Sequence, residues 1–226
     1  MLKIIKKRIS TNNYIRRNAV KKMRRELVNT NVSFLTPNCI GGIIYHDLGL
    51  RFMSPTINLM MTQKDFLLFV SSLDDYLNGE FQFFKHNEYT CPCAYLFPYN
   101  NGQEITVHFT HYRSEEEAVK KWNERKQRIN RDNVFVFIEE RDGITKDDLT
   151  LLKDLTVKGL VAFTCNEYPD LPYTVFLHKY SSIGEVGNIL QKNHITGARE
   201  YERYFDFVKW FNEADGYPYD IRNYIK

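Results

Sequence analysis

A cysteine that directly follows a turn is the first residue of this sequence that could do chemistry. Cys39 comes after a short apolar segment at 32–36 and a Pro37-Asn38 turn, and it opens a segment with helical spacing at 39–48. A side chain at a helix N-terminus faces unpaired backbone N–H groups and the positive end of the helix dipole. This setting can lower the pKa of a thiol and favour the thiolate, which is the nucleophilic form. Cys39 is therefore a candidate nucleophile. The alternative is a small buried cysteine beside a tight turn.

The neighbours of Cys39 can shape a pocket around it. Asn38 offers an amide, while Gly41 and Gly42 let a ligand approach the backbone closely because they carry no Cβ. The segment has neither the phosphate-loop pattern nor the G-x-G-x-x-G spacing of a nucleotide cradle. We therefore expect these three residues to bind a substrate that is not recognised through either motif.

Two histidines follow a predicted strand at 104–110. In open parallel sheets ligands bind beyond the carboxyl ends of the strands, so His111 is expected at such a site. His108 lies three positions earlier and points to the opposite face unless the chain bends at Thr110. Either ring can act as a general base to Cys39 or bind an anionic group. The alternative is a histidine that only satisfies a local hydrogen bond.

A third group of candidates lies at the end of a predicted helix over 114–129. Arg125 and Arg128 can hold a phosphate or carboxylate in a bidentate manner, and Asn130 follows in the next loop. We expect these three to bind an anionic group of the substrate. The alternative is that these cations only interact with the negative, C-terminal end of a solvated helix and bind no substrate.

The sequence predicts no metal site and does not identify a cofactor. Cys91 and Cys93 are separated by one residue and have no matching second pair, unlike the spacing of structural zinc ligands. Glu139, Glu140 and Asp142 follow an apolar strand and could hold a cation together with a sugar-nucleotide diphosphate. Their E-E-R-D-G sequence is not the Asp-x-Asp of metal-dependent glycosyltransferases, however, so a charged turn is the favoured interpretation.

Strands alternate with helices along the chain, which favours an α/β fold. The predicted strands cover 32–36, 56–61, 81–84, 104–110, 134–138, 160–164 and 175–177, with helices over 39–48, 63–77, 114–129, 146–155, 184–191 and 199–214. We expect a single domain at 30–226 with a largely parallel sheet flanked by helices. A basic amphipathic helical segment at 1–29 is expected to precede it.

Composition restricts the class of protein. The 226 residues are 43% hydrophobic and 26% charged, which provides a core and excludes disorder over most of the length. No apolar run approaches the roughly 18–20 residues that cross a bilayer, and the first residues lack the apolar region of a signal peptide. Four cysteines are too few for a disulfide scaffold. A cytoplasmic protein is expected.

The charge is distributed unevenly. The first 25 residues contribute +10 and contain no acid, so the rest of a chain of net charge +3 carries −7. A basic helix of this kind can lie on an anionic membrane surface through residues 1–28. The alternative, which is favoured, is a solvated helix that docks on the acidic body of its own chain. Nucleic acid is the least favoured partner, because no recognised DNA- or RNA-binding motif is present.

These same segments resemble a bacterial family known as domain of unknown function 1919. The resemblance rests on N-C-I-G-G-I-I-Y-H-D-L-G-L-R-F-M-S-P-T-I-N-L (38–59) and H-F-T-H-Y-R-S-E-E-E-A-V-K-K-W-N-E-R-K-Q-R-I-N-R-D-N (108–133), and it spans most of residues 30–212. The positions that match the family pattern are Asn38, Cys39, Gly41, Gly42, Ser54, Pro55, Thr56, His111, Tyr112, Ser114, Trp122, Arg125, Arg128, Ile129 and Asn130.

The resemblance implies a role in exopolysaccharide or capsule biosynthesis, since members are often labelled so and some are labelled acyl- or glycosyltransferases. The expected function is a transferase that acts on a saccharide or lipid-linked sugar, with Cys39 and a histidine as its chemical centre. It would work in the cytoplasm, at the inner membrane face. The alternative is a non-catalytic accessory protein associated with a glycan or a membrane.

Overall fold

A computed structural model describes residues 2–216 and 219–226, with the side chains of 2–13 outside the description. The strands are β1 Ser33–Leu35, β2 Glu80–Phe84, β3 Cys93–Phe97, β4 Ile105–His108, β5 Val134–Glu139, β6 Gly159–Thr164 and β7 Thr174–Phe176. The α-helices are α1 Leu2–Glu26, α2 Ile40–Leu48, α3 Gln63–Ser71, α4 Leu73–Leu77, α5 Glu115–Lys126, α6 Lys146–Thr150 and α7 Phe207–Glu213. Short 3-10 helices cover Arg131–Asn133, Leu151–Asp154, His178–Tyr180, Glu200–Arg203 and Ile221–Tyr224.

A parallel sheet with the order β1-β5-β6-β7 forms the centre of the fold. Every residue of β5 and β6 is buried, which is why both strands are nearly continuous apolar runs. Alternate residues face opposite layers: Phe135 and Phe137 pack on the side of α2 and α7, and Val136 and Ile138 pack on the side of α3 and α5. Because β1 and β5 pair in parallel, their carboxyl ends lie next to each other at one edge of the sheet.

The aromatic residues near the C-terminus fill the first of these layers. Trp210 of α7 makes edge-on contacts with Phe34 and Phe135, at centroid distances of 6.1 and 4.8 Å. Phe211 packs against the same two rings. These rings are core residues that fix β1 and β5 against α7.

A second sheet corrects the predicted single parallel one. Strands β2, β3 and β4 form an antiparallel sheet in that order. Strand β3 lies in a segment whose many turn residues hid it, and its alternating burial is typical of a sheet with one face exposed. Residues from both sheets share one hydrophobic layer, so the fold is mixed α/β.

Some predicted elements have other conformations, and the helix predicted at 63–77 is divided into α3 and α4 at Ser72. Residues 55–58 form a turn in place of the strand predicted at 56–61, and Met60 makes only an isolated bridge to His108. No helix forms over 184–191. The predicted helix at 199–214 is divided into the 3-10 helix Glu200–Arg203 and α7, because the Asp206 side chain accepts from the Lys209 amide and starts a new helix there.

Within the described residues, no helix is both long and apolar enough to cross a membrane.

Candidate functional site

Cys39 lies between the carboxyl end of β1 and the first turn of α2. The Thr36 hydroxyl donates to the Asn38 carbonyl at 2.9 Å, and the Asn38 side chain accepts from the Ile40 amide at 3.0 Å. Cys39 is the N-cap residue of α2 but makes no side-chain capping bond. Its half-buried thiol is thus held in place by the residues on either side and remains free for other contacts.

The Cys39 thiol contacts His111. The Cys39 Sγ and His111 Nε2 atoms are 3.4 Å apart, within the range of a hydrogen bond to sulfur, and the His111 ring is exposed to solvent. The sequence argument placed His111 at the end of a parallel strand. The structure instead places it in the turn after β4, in the antiparallel sheet. Residues distant in sequence therefore meet because the two sheets pack side by side.

His108 is not part of this pair. Its Nδ1 lies 3.3 Å from the Sγ atom of Cys93, and its ring packs against Tyr89 and His86 at centroid distances of 4.6 and 5.6 Å. Burial lowers the pKa of His108, and the neighbouring His86 ring lowers it further. His108 and His111 thus contact two different cysteines.

The surroundings of the Cys39 thiol favour its neutral form. Burial raises its pKa, and a hydrogen bond with the Thr110 hydroxyl offsets only part of that effect. This is the reverse of the lowering expected at a helix N-terminus. A nucleophilic Cys39 would therefore need His111 to accept its proton during the reaction.

Glu139 is a second titratable residue at this edge of the sheet. It is the last residue of β5, its side chain is 1% exposed, and it accepts a hydrogen bond from the Asn38 Nδ2 atom. Burial raises the pKa of Glu139 to about 7, although the Arg141 charge and the Asn38 amide act in the opposite direction. A carboxyl group that is half protonated near neutral pH can donate as well as accept a proton.

Both Cys39 and Glu139 line a cleft of about 170 Å³. Its other lining residues are Asn38, Arg141, Gly187, Asn188, Ile189 and Leu190. Residues 187–190 form a segment that covers the cleft. The amide of the preceding residue, Val186, donates to the Glu140 carbonyl at 2.7 Å, which anchors this covering segment to the end of β5. The cleft lies where β1 and β5 end, the edge at which ligands bind in open parallel sheets.

Glu140 has a structural role beside the cleft. Its carboxylate accepts from the Cys165 and Asn166 amides at 2.7 and 3.1 Å and from the Tyr168 hydroxyl at 2.5 Å. Burial alone would raise the pKa of Glu140, but these hydrogen bonds outweigh it and lower the pKa. The pKa values of the two adjacent glutamates are thus shifted in opposite directions. Glu139, which faces the cleft, is the one whose pKa lies near neutrality.

The two glycines of α2 differ in their surroundings. A Cβ at Gly41 would lie 2.6 Å from the Thr36 Oγ1 atom, so this position has no room for a side chain. A Cβ at Gly42 would make ordinary contacts of 3.4 Å with Asn58 and Ile57. Gly41 therefore lets α2 start close against the turn that carries Cys39.

The structure does not bring the predicted anion-binding residues to Cys39. Arg125 is buried, and its Nη1 atom donates to the Ile57 carbonyl at 2.9 Å and to the Tyr112 hydroxyl at 2.5 Å. Arg128 contacts the Phe52 carbonyl at 3.4 Å. The Asn130 side chain accepts from the Asp132 amide and caps a 3-10 helix. These residues hold the 52–58 segment and the start of β5.

Sequence reasoning missed the role of Glu139 and the covering segment at 187–190. The available signal for Glu139 was a carboxylate at the end of a wholly apolar strand. No comparable signal marked Asn188, which follows a glycine in an irregular segment. Among the described residues, no group of three or more His, Cys, Asp or Glu side chains is arranged to hold a metal ion.

Comparison with known sequences adds a family and a relative. Residues 10–212 match a family described as a domain of unknown function (DUF1919). A Haemophilus influenzae protein, named only as an uncharacterized protein, is 33% identical over 194 residues that cover 86% of this chain and 90% of that protein. The residues matched by the family include all of the candidate site.

Proposed function

We propose that this chain, which belongs to the DUF1919 family as its resemblance predicted, is a transferase of bacterial exopolysaccharide or capsule assembly. The family description names no reaction, so the reaction is inferred from the geometry of the site. In this proposal Cys39 carries an acyl group to a hydroxyl of a saccharide or lipid-linked sugar. The work is done at the cytoplasmic face of the inner membrane. The observation that carries the proposal is the 3.4 Å contact between Cys39 Sγ and His111 Nε2.

The contact supports a two-step transfer. His111 accepts the Cys39 proton while the sulfur attacks the carbonyl carbon of an acyl donor. The donor's leaving group departs with the proton that His111 returns, and a thioester forms on Cys39. His111 then accepts the proton of the saccharide hydroxyl as its oxygen attacks the thioester. The bond to sulfur breaks, and the proton returns from His111 to Cys39.

Glu139 and Asn38 add hydrogen-bonding capacity in the cleft that Cys39 lines. A neutral Glu139 carboxyl can donate to a substrate oxygen on which negative charge develops, and the Asn38 amide holds that carboxyl in place. Asn188 and Arg141 offer further donors for sugar hydroxyl groups. Ligand pockets commonly measure about 300–1,000 Å³, so a cleft of about 170 Å³ takes only the reacting end of a larger substrate.

A generic acyl donor tests the proposal without knowledge of the natural substrate. With 4-nitrophenyl acetate, we expect a burst of nitrophenolate and an acetyl group on Cys39, detected by intact mass and peptide mapping after acid quench. Cys39→Ser should abolish the acetylation. His111→Ala should slow it by roughly 10²–10⁴-fold, the usual contribution of a general base.

Cys91→Ser is the matched control, because Cys91 is also half-buried and lies outside the Cys39–His111 pair. It should leave the burst unchanged. Equal acetylation in wild type and Cys39→Ser, or labelling of Cys91 in place of Cys39, would contradict the proposal.

The alternative function is a non-catalytic accessory protein bound to a glycan or a membrane. The raised pKa of Cys39 favours it, because a structural thiol is neutral as well. In that case His111→Ala changes stability but Cys39 forms no acyl intermediate, so the same experiment separates the two functions.

A further inference from the structure

The basic residues of α1 fall into two groups, and the first group attaches the helix to the body. The Arg16 guanidinium contacts Asp47 at 2.6 Å and Glu202 at 2.7 Å. The Arg24 side chain donates to the Asp47 and His46 carbonyls at 2.8 and 3.0 Å, near the end of α2. These contacts fix which face of α1 points inward.

The second group forms a stripe on the outward face. Arg17, Lys21 and Arg25 are four residues apart, so they lie in one row along the helix. All three are exposed, and within the described part of the chain they make no ion pair. Tyr14 and Val28 lie near the two ends of the row and are 67% and 82% exposed. Among the described side chains, this basic row has no ion-pair partner.

We propose that this stripe, Arg17, Lys21 and Arg25, docks the protein on an anionic lipid surface. A straight row on one helix matches a flat array of phosphates, and an exposed tyrosine is typical of a side chain at the membrane–water boundary. The sequence adds Lys3, Lys6, Lys7 and Arg8 to the first part of the same helix. The remaining chain has a charge of −7, so an anionic surface attracts the helix more strongly than it attracts the rest of the protein.

Lipid fits the stripe better than nucleic acid does. A nucleic-acid surface commonly combines basic residues from several elements with base-reading or stacking side chains. The stripe lies on one helix and offers neither. Duplex DNA is therefore the competing ligand in the test.

The experiment measures binding of the full chain to vesicles of phosphatidylcholine alone and of phosphatidylcholine with phosphatidylglycerol. The test variant is Arg17→Gln/Lys21→Gln/Arg25→Gln. Each basic residue near an anionic surface contributes about fivefold in affinity, so we expect binding roughly 100-fold weaker. Binding to neutral vesicles should be negligible in both proteins.

The matched control is Lys64→Gln/Lys85→Gln/Lys120→Gln, which makes the same change in charge at exposed lysines outside α1. It should retain most of the binding to anionic vesicles. Equal loss in both triple variants would overturn the proposal, because net charge alone would then be responsible. Tighter binding to a duplex DNA than to the anionic vesicles at the same ionic strength would overturn it as well.

This inference is independent of the proposed transfer reaction. The stripe variant should form the Cys39 acetyl intermediate at the wild-type rate in solution. Wild-type protein that binds anionic vesicles but forms no Cys39 acetyl intermediate would contradict the transfer reaction alone. Wild-type protein that is acetylated but does not bind anionic vesicles would contradict the docking proposal alone.

Discussion

At the scale of single residues, the candidate site combines two acidic groups, the half-buried Cys39 thiol and the buried Glu139 carboxyl. Burial raises the pKa of the Cys39 thiol and the pKa of the Glu139 carboxyl. Keeping Glu139 buried without an ion pair costs stability at neutral pH, because the unfolded chain ionises more readily. A residue that lowers stability and faces a cleft is typical of a functional site.

Glu139→Gln tests this cost. Glutamine resembles the protonated carboxyl and can still accept from Asn38. Below pH about 4.5 the carboxyl is protonated in both states, and its contribution to stability is fully present. That contribution is lost as the pH rises towards the folded pKa of about 7. We expect the variant to gain up to about 3 kcal/mol relative to wild type between pH 4.5 and 8.

Urea unfolding at several pH values measures the effect, and the quantity of interest is its change with pH. Glu80→Gln provides the control, since Glu80 is exposed at the start of β2. A constant difference between Glu139→Gln and wild type across this pH range would show that Glu139 is ionised in the folded protein.

At the scale of elements, the turn between β1 and α2 positions Cys39. Thr36 fills the space next to Gly41 and bonds to the Asn38 carbonyl, so the start of the helix is packed against the turn. A side chain at position 41 would push the two apart.

We expect Gly41→Ala to destabilise the protein by about 1–3 kcal/mol, as overpacking of a buried contact usually does. It should also slow acetylation of Cys39 by displacing the thiol from His111. Gly42→Ala lies in the same helix and makes only ordinary contacts, so it should be neutral or stabilising by up to about 1 kcal/mol. Urea unfolding and the acetylation assay measure both, and equal effects of the two substitutions would contradict the packing argument.

Elements whose signals are local could be predicted from the sequence. Strand β5 is a continuous apolar run, and the Ser114 hydroxyl accepts from the Glu117 amide at the predicted start of α5. Strand β3 was missed because its stability comes from its neighbours β2 and β4, which a local pattern does not show.

The candidate site could be predicted only in part for the same reason. Cys39 was identified from a local pattern, a turn before a helix. His111 was identified with an argument about parallel strands that does not apply to β4. Arg125 was assigned to a substrate, but long-range packing buries it against Tyr112 and Ile57. Burial and partners from distant segments decide such roles, and they follow from the tertiary structure.

At the scale of the whole molecule, a basic helix is attached to an acidic body. Arg16 connects three segments, since it contacts Asp47 of α2 and Glu202 of a 3-10 helix near the C-terminus. Burial alone would lower the pKa of the Arg16 guanidinium. The Glu202 and Asp47 carboxylates outweigh this effect, so the pKa lies above its usual value. Arg199 lies 3.6 Å from Asp47 and adds a second cation to this cluster.

Arg16→Met should weaken the attachment of α1 to the body. The substitution retains much of the side-chain length but leaves Asp47 and Glu202 close together without the cation between them. Breaking a buried ion pair lowers the free energy of unfolding by about 3–5 kcal/mol. Because these side chains are partly exposed, we expect a smaller loss of about 1–3 kcal/mol. Amide hydrogen exchange over residues 14–26 should accelerate more than exchange in β5.

Lys22→Gln is the control, because its pair with Glu26 is on the surface and should contribute less than about 1 kcal/mol. If both variants exchange alike, Arg16 does not hold the helix, and the outward direction of the basic stripe must depend on the apolar contacts of Met23 and Leu27.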